Sequence, residues 1–260
     1  MALQENKIEN DTFFIDEPLT DEIIKEIEKY KNLEFGNNFN QSLCDNLPSS
    51  LESIIFGKNF NQSVNNLPKG LKSLTFKDSN FNRLIDNLPQ ELENLKFEGI
   101  FNQPINKLPK GLKILELRWM FDQQVDNLPT GLQSLTLGFY FDRLVDNLPS
   151  GLKSLTFGNS FNRLVDNLPS GLENLNFGGM FNQPIDNLPQ GLENLTFGYY
   201  FNQPVDNLPK NLKNIIFGGN FNHSVDNLPS GLQTLTLSET YNKPLNNLPE
   251  SVKIERIKYY

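Results

Sequence analysis

Apolar and polar positions recur along most of this chain with a period of twenty residues. The copy from Phe181 to Tyr200 reads FNQPIDNLPQGLENLTFGYY, with apolar side chains at Phe181, Ile185, Leu188, Leu192, Leu195 and Phe197. Leu195, Thr196 and Phe197 alternate apolar, polar, apolar, the pattern of a strand buried on one face. The Asn-Leu-Pro step ahead of it requires an extended chain, because proline disfavours helical backbone in the residue before it. No stretch within a repeat has room for a full helix, so the return path is extended or turn-like. A unit this short cannot bury its apolar face alone, and stacked neighbours must cover it. Strands at one fixed sequence spacing stack in parallel, about 4.8 Å apart. The pattern therefore predicts a β-rich solenoid, a parallel sheet of about twelve rungs. It also predicts two columns of phenylalanine rings one strand spacing apart, within reach of offset stacking.

The phase of the repeat is set by Phe39, Phe60, Phe81 and Phe101, then every twenty residues to Tyr241. Two one-residue insertions interrupt it, one in FNQSLCDNLP around Cys44 and one in FKDSNF between Phe76 and Phe81. Both are expected in loops, since an insertion inside a strand would turn its side chains to the wrong face. The repeats occupy residues 31–250, with caps over 1–30 and 251–260. In the first cap, residues 20–30 read as a short helix with Thr20 as N-cap and Asp21 and Glu22 in its first turn. Ile23, Ile24, Ile27 and Tyr30 fall on one face, expected to cover the first rung at Leu33–Phe35. The preceding TFFI is read as an added strand. In the second cap, counting by twenty places Glu255 in the slot of an inward leucine, a polar intrusion suited to a terminus.

The formal net charge of -8 argues against nucleic acid or an anionic membrane as the main partner. The single cysteine, Cys44, excludes an intramolecular disulfide and fits a reducing, cytoplasmic compartment. MALQENKIENDTFF lacks an apolar run of signal-peptide length, and no segment is long enough to span a bilayer. Sequons at Asn10, Asn40, Asn61, Asn194 and Asn222 are read as chance in an Asn-rich chain.

Candidate chemistry is sparse. His223 replaces the Gln of the FNQ step and reads as a surface residue, and Cys44 as a passive thiol at an insertion. One His and one Cys this far apart in a stiff stack supply neither a nucleophile–base pair nor a metal site. The column Asp126, Asp146, Asp166, Asp186, Asp206 and Asp226 reads as turn-capping carboxylates rather than a calcium site. Gly178 and Gly179 belong to a post-strand turn, not a phosphate loop. No cofactor is implied. One of the asparagine columns, after the Phe or before Leu-Pro, is expected to turn inward onto unpaired backbone groups. The outward threonines (Thr75, Thr136, Thr156, Thr196, Thr236) are interrupted by Lys96, Glu116, Asn176 and Ile216, against an ice- or crystal-binding ladder. The departures from the repeat are more informative. Arg118, Trp119 and Met120 replace a Gly-x-x turn; Phe139 and Tyr140 follow one rung later, and Tyr199 and Tyr200 three rungs beyond. Lys96 and Glu116 mark the sheet beside the first group. Clustered Arg and aromatic residues on an open surface are the material of binding hot spots. A second row, Arg83, Arg143 and Arg163, lies on the opposite bend and reads as a solvated face.

L-x-x-L-x-F followed by an extended Leu-Pro return resembles the leucine-rich repeat, in its short twenty-residue form. The phrase FNxxIDNLPxGLxxLxFG more specifically resembles the FNIP repeat of giant viruses and social amoebae, over about Leu33 to Ile257. The resemblance implies a leucine-rich-repeat-like parallel solenoid and a role in protein–protein interaction, in the host cytoplasm if the chain is viral. Family members often carry an F-box and act as substrate receptors in ubiquitin ligation. EPLTDEIIKEIEKY is faintly similar to the opening helix of that domain, but no room remains for the rest of it. The expected function is a non-catalytic protein-binding scaffold, with three alternatives: the recognition part of a ligase assembly, a structural protein self-associating through its solenoid ends (with Tyr259 and Tyr260 exposed) or its sheet face, and a glycan-acting β-helix enzyme built on Glu116 with Lys96 and Arg118.

Overall fold

The computed structural model describes residues 8–9, 11–43 and 47–259, in two compact units. The first comprises residues 1–123 with 127–132, and the second 124–126 with 133–260. The insertion around Cys44 and the residue Tyr260 lie outside the described residues.

In the first unit β1 (Ile8–Glu9) pairs antiparallel with β2 (Thr12–Ile15). Five strands then follow β2 in parallel and in chain order: β3 (Asn32–Phe35), β4 (Ser53–Phe56), β5 (Ser73–Phe76), β6 (Asn94–Phe97) and β7 (Ile114–Leu117). In the second, β8 (Ser134–Thr136), β9 (Ser154–Thr156), β10 (Asn174–Asn176), β11 (Asn194–Thr196), β12 (Asn214–Ile216), β13 (Thr234–Ser238) and β14 (Lys253–Ile257) are parallel throughout. This is the expected β-solenoid with leucine-rich-repeat-like rungs. Residues twenty apart face each other, so that Leu155, Leu175, Leu195, Ile215 and Leu235 form one buried row.

The core is aromatic. Along the strand-end column Phe157, Phe177, Phe197 and Phe217 stack at 5.5, 5.5 and 5.6 Å between ring centroids. Along the bend column Phe161, Phe181, Phe201 and Phe221 stack at 6.1 Å. Within a rung the two columns meet at about 3.7 Å, as in Phe197 and Phe201. Leucine replaces the strand-end ring at Leu117 in the first unit and at Leu137 and Leu237 in the second.

Glycine follows the strand because consecutive turns touch. A Cβ on Gly198 would stand 2.1 Å from the Gly178 carbonyl oxygen, and one on Gly218 would stand 1.9 Å from that of Gly198. None of the glycines has a positive φ among the described residues. The need is for close approach, not for left-handed backbone. The insertion between Phe76 and Phe81 sits in such a turn. Asp78 takes φ 46° there, and buried Ser79 donates to the Phe60 carbonyl and accepts from the Phe81 amide, which leaves the strand registers intact.

Three expectations are corrected. First, TFFI forms β2, so α1 (Asp21–Ile27) is not a lid over the first rung but the return between the first two parallel strands. Thr20 caps it by accepting from the Ile23 amide. Ile23 and Ile27 are buried, while Ile24 and Tyr30 are only partly so. Second, Glu255 does not face inward. β14 pairs one residue out of the twenty-residue phase, placing Ile254 beside Leu235 and Glu255 beside outward Thr236. The inward polar residue is Arg256, opposite Leu237. Its guanidinium donates to the Ser238 and Tyr241 carbonyls and lies 5.7 Å from the Tyr241 ring centre. Third, neither asparagine column turns inward; the column after the Phe does satisfy backbone amides, but along the surface, from rung to rung.

Candidate functional site

The bend after the strands carries the residues that break the repeat. In the first unit Lys96 on β6 and Glu116 on β7 are direct cross-strand partners, in the outward column that holds Thr75 one rung before. The Lys96 ammonium is 2.7 Å from the Glu116 carboxylate, and the Arg118 guanidinium, two residues on and on the same face, is 3.2 Å from it. The Glu116 side chain is only 17% exposed. Burial pushes its carboxyl upward, but the two cations more than offset this and hold it below the usual glutamate range.

Trp119 follows, 54% exposed and with φ 47°. Left-handed backbone costs an L-residue about 1–2 kcal/mol, and a bulky side chain there is an outlier. Gly99 fills the same slot one rung earlier. Met120 is also exposed, beside Ile100 in the equivalent slot one rung before. Ile100 was not among the residues singled out from sequence, although its position twenty residues before Met120 marks it.

In the second unit the Phe139 and Tyr140 rings meet edge-on at 5.0 Å, and those of Tyr199 and Tyr200 at 5.1 Å. Exposed Met180 occupies the same slot as Tyr140 and Tyr200 and was likewise overlooked. Tyr199 lies over Gly219, where a Cβ would come within 2.5 Å of its ring. Tyr259, expected as an exposed end residue, is half-buried. Its ring is edge-on to Tyr199 at 6.0 Å, and its hydroxyl donates to the Phe217 carbonyl at 3.2 Å. The structure thus brings together Lys96, Glu116 and Arg118 in one unit. In the other it pairs Phe139 with Tyr140, and Tyr199 with Tyr200 and Tyr259.

The opposite bend is a polar ladder. The Asn202 amide donates to Asn182 Oδ1 at 2.9 Å, and Gln203 Nε2 reaches both the Oδ1 and the carbonyl of Asn182 at 3.1 Å. His223 reproduces the Gln contact, with Nε2 3.0 Å from the Asn202 carbonyl. Arg83 and Arg163 do the same through Nε to the Asn61 and Asp142 carbonyls, and Arg163 adds an ion pair to Asp142 at 2.8 Å. Asp126, Asp146, Asp166, Asp186 and Asp206 each accept from the Asn of the next rung, as Asp186 does from Asn207 at 3.1 Å, while Asp226 accepts from the Ser224 hydroxyl. Among the described residues no three His, Cys, Asp or Glu side chains gather as metal ligands, and no helix is long and apolar enough to cross a membrane.

Known proteins share this architecture. Among curated proteins none matches the chain. The circular leucine-rich-repeat protein CroV588 superposes with a TM-score of 0.81 at 38% identity, over 89% of this chain and 37% of its own. YopM of Yersinia enterocolitica gives 0.62 at 21% identity over 89% and 64%, and TLR13, solved with ssRNA13, gives 0.61 at 18% over 90% and 44%. The last two likenesses show the fold alone. The chain spans less than two thirds of the length of each. The FNIP Repeat model matches residues 30–59, 39–66, 60–99, 101–140, 143–180, 163–200, 181–207 and 201–240, so the chain belongs to the FNIP repeat family.

Proposed function

We propose that the chain is a non-catalytic scaffold that binds another protein through the bends after its strands. The observation that carries this reading is Trp119, a half-exposed ring held in left-handed backbone that Gly99, in the same slot one rung earlier, does not adopt. Strain of this kind concentrates at ligand-binding positions, and Trp, Tyr and Arg dominate hot spots. Lys96, Glu116, Arg118 and Met120 supply a charged and apolar surround, and Phe139, Tyr140, Tyr199 and Tyr200 extend the aromatic character in the second unit. The partner is a protein rather than nucleic acid: the net charge of -8 opposes a phosphate backbone, in contrast to the RNA named with TLR13. The single cysteine supports a cytoplasmic setting.

The other readings have less behind them. Glu116 is held ionised by two cations, which disqualifies it as a general acid near neutral pH. The helix similar to an F-box opening is built into a rung. Self-association has one favouring observation, the exposure of β14 with Ile254 and Ile257, and light scattering across a concentration range decides it.

Trp119→Gly removes the ring and the backbone strain together. Affinity purification from native host cells should then lose the partner captured by the wild type, with a melting temperature unchanged or raised. Capture of the same protein in equal amount would overturn the assignment of this surface.

A further inference from the structure

The segment after β14 turns back along the second unit. Tyr259 crosses to residues of two earlier rungs, meeting Tyr199 edge-on and donating its hydroxyl to the Phe217 carbonyl. The floor it meets is built rather than incidental. Tyr199 is flattened against Gly219, a position where any Cβ would strike its ring, and is braced by the edge of Tyr200. One aromatic wall, Tyr199 braced by Tyr200, and a carbonyl acceptor at the reach of a phenol hydroxyl satisfy both ends of one side-chain type, the apolar ring and the polar tip. Phenylalanine would leave the carbonyl without that hydroxyl, and a longer cation would lack the ring contact.

We propose that Tyr199, Tyr200, Gly219 and the Phe217 carbonyl form a subsite for a tyrosine side chain of a partner peptide, held closed in cis by Tyr259. This rests on the bends after the strands being the partner surface, and it adds a strap that competes for part of that surface. Burial raises the Tyr259 phenol above its ordinary range, so its hydroxyl remains a donor throughout the neutral range. One edge-on ring contact and one hydrogen bond make an exchangeable latch. A competing ligand binds with an apparent affinity reduced by the fraction of molecules in which the strap is open.

The test uses the full chain and acetyl-Ile-Lys-Tyr-amide, a copy of the strap, observed through the Gly219 amide resonance. In Tyr259→Ala the peptide should shift that resonance saturably at millimolar concentration, and about tenfold more weakly in the wild type if the strap is closed nine-tenths of the time. The Ile-Lys-Ala peptide should be silent, and Tyr199→Ala in the Tyr259→Ala background should abolish the shift. Tyr259→Phe should compete less well than wild type, having lost the bond to the carbonyl. Equal shifts in wild type and Tyr259→Ala would remove the strap. No shift in Tyr259→Ala, or one shared by the alanine peptide, would remove the subsite. Neither result touches the Trp119 surface, which stands or falls by partner capture.

Discussion

Single residues in this chain are constrained by the rung before and the rung after, and two glycines separate that constraint from simple turn preference. Gly198→Ala places a methyl 2.1 Å from a backbone oxygen that can yield only by opening the stack. We expect it to cost roughly 1–3 kcal/mol in urea denaturation, the range of overpacking. Gly231→Ala meets nothing within 4 Å, and among the described residues no glycine has a positive φ. It should be neutral or stabilise by roughly 0.4–1 kcal/mol through the unfolded chain. Equal effects at the two positions would show that the turns do not touch. Gly198 follows a strand and Gly231 precedes one, and sequence assigns both only to turns, because a close approach between residues twenty apart leaves no local mark. Trp119 is the converse case: its identity was conspicuous, but its left-handed backbone was not.

Among the elements, β14 shows how register overrides period. Counting by twenty turns Glu255 inward, whereas the paired strand turns it outward beside Thr236 and sets Ile254 in register with Leu235 of the apolar row. Hydrogen bonding of a strand is indifferent to side chains, so the register that sets isoleucine rather than glutamate in line with the leucine row wins, although Ile254 at the end of the stack stays partly exposed. Glu255→Leu should therefore change stability by no more than about 0.5 kcal/mol, as at an ordinary surface site. Ile254→Glu should destabilise measurably in the same denaturation experiment, and the opposite ranking would restore the twenty-residue phase. The β6–β7 pair supplies a pH dependence. Because Lys96 and Arg118 hold the folded-state Glu116 carboxyl below its unfolded value, its contribution is present at neutral pH. That contribution is lost as pH falls through the lowered folded value. The stability difference between wild type and Glu116→Gln, roughly 0.5–1 kcal/mol for a partly screened pair, should shrink towards zero in acid. A difference that persists there would mean the ion pairs are not its source.

At the scale of the molecule each rung contacts its neighbours through four kinds of column: buried leucines, stacked phenylalanines, the bend asparagines and the backbone ladder. Stability then grows rung by rung. Deleting residues 161–180, a whole period within the second unit, should leave a folded protein with a slightly smaller denaturant m-value. Deleting 161–170 removes half a period and should leave that unit unable to pair in register. If circular dichroism shows both deletions equally folded, the rungs are not the unit of stability.

The sequence by itself determined the period, the strand positions, the inward rows and the family, because all of these are properties of one repeat read many times. Interactions between copies were legible only where they were symmetric, as with the Phe columns. Tertiary structure alone decided that α1 is a return segment rather than a lid, that the asparagines bond along the surface, that β14 slips by one residue, and that Tyr259 folds back onto Tyr199. Each of these depends on which groups remain unpaired once the rungs have stacked. That is a property of residues twenty to sixty apart in sequence, and local pattern carries no record of it.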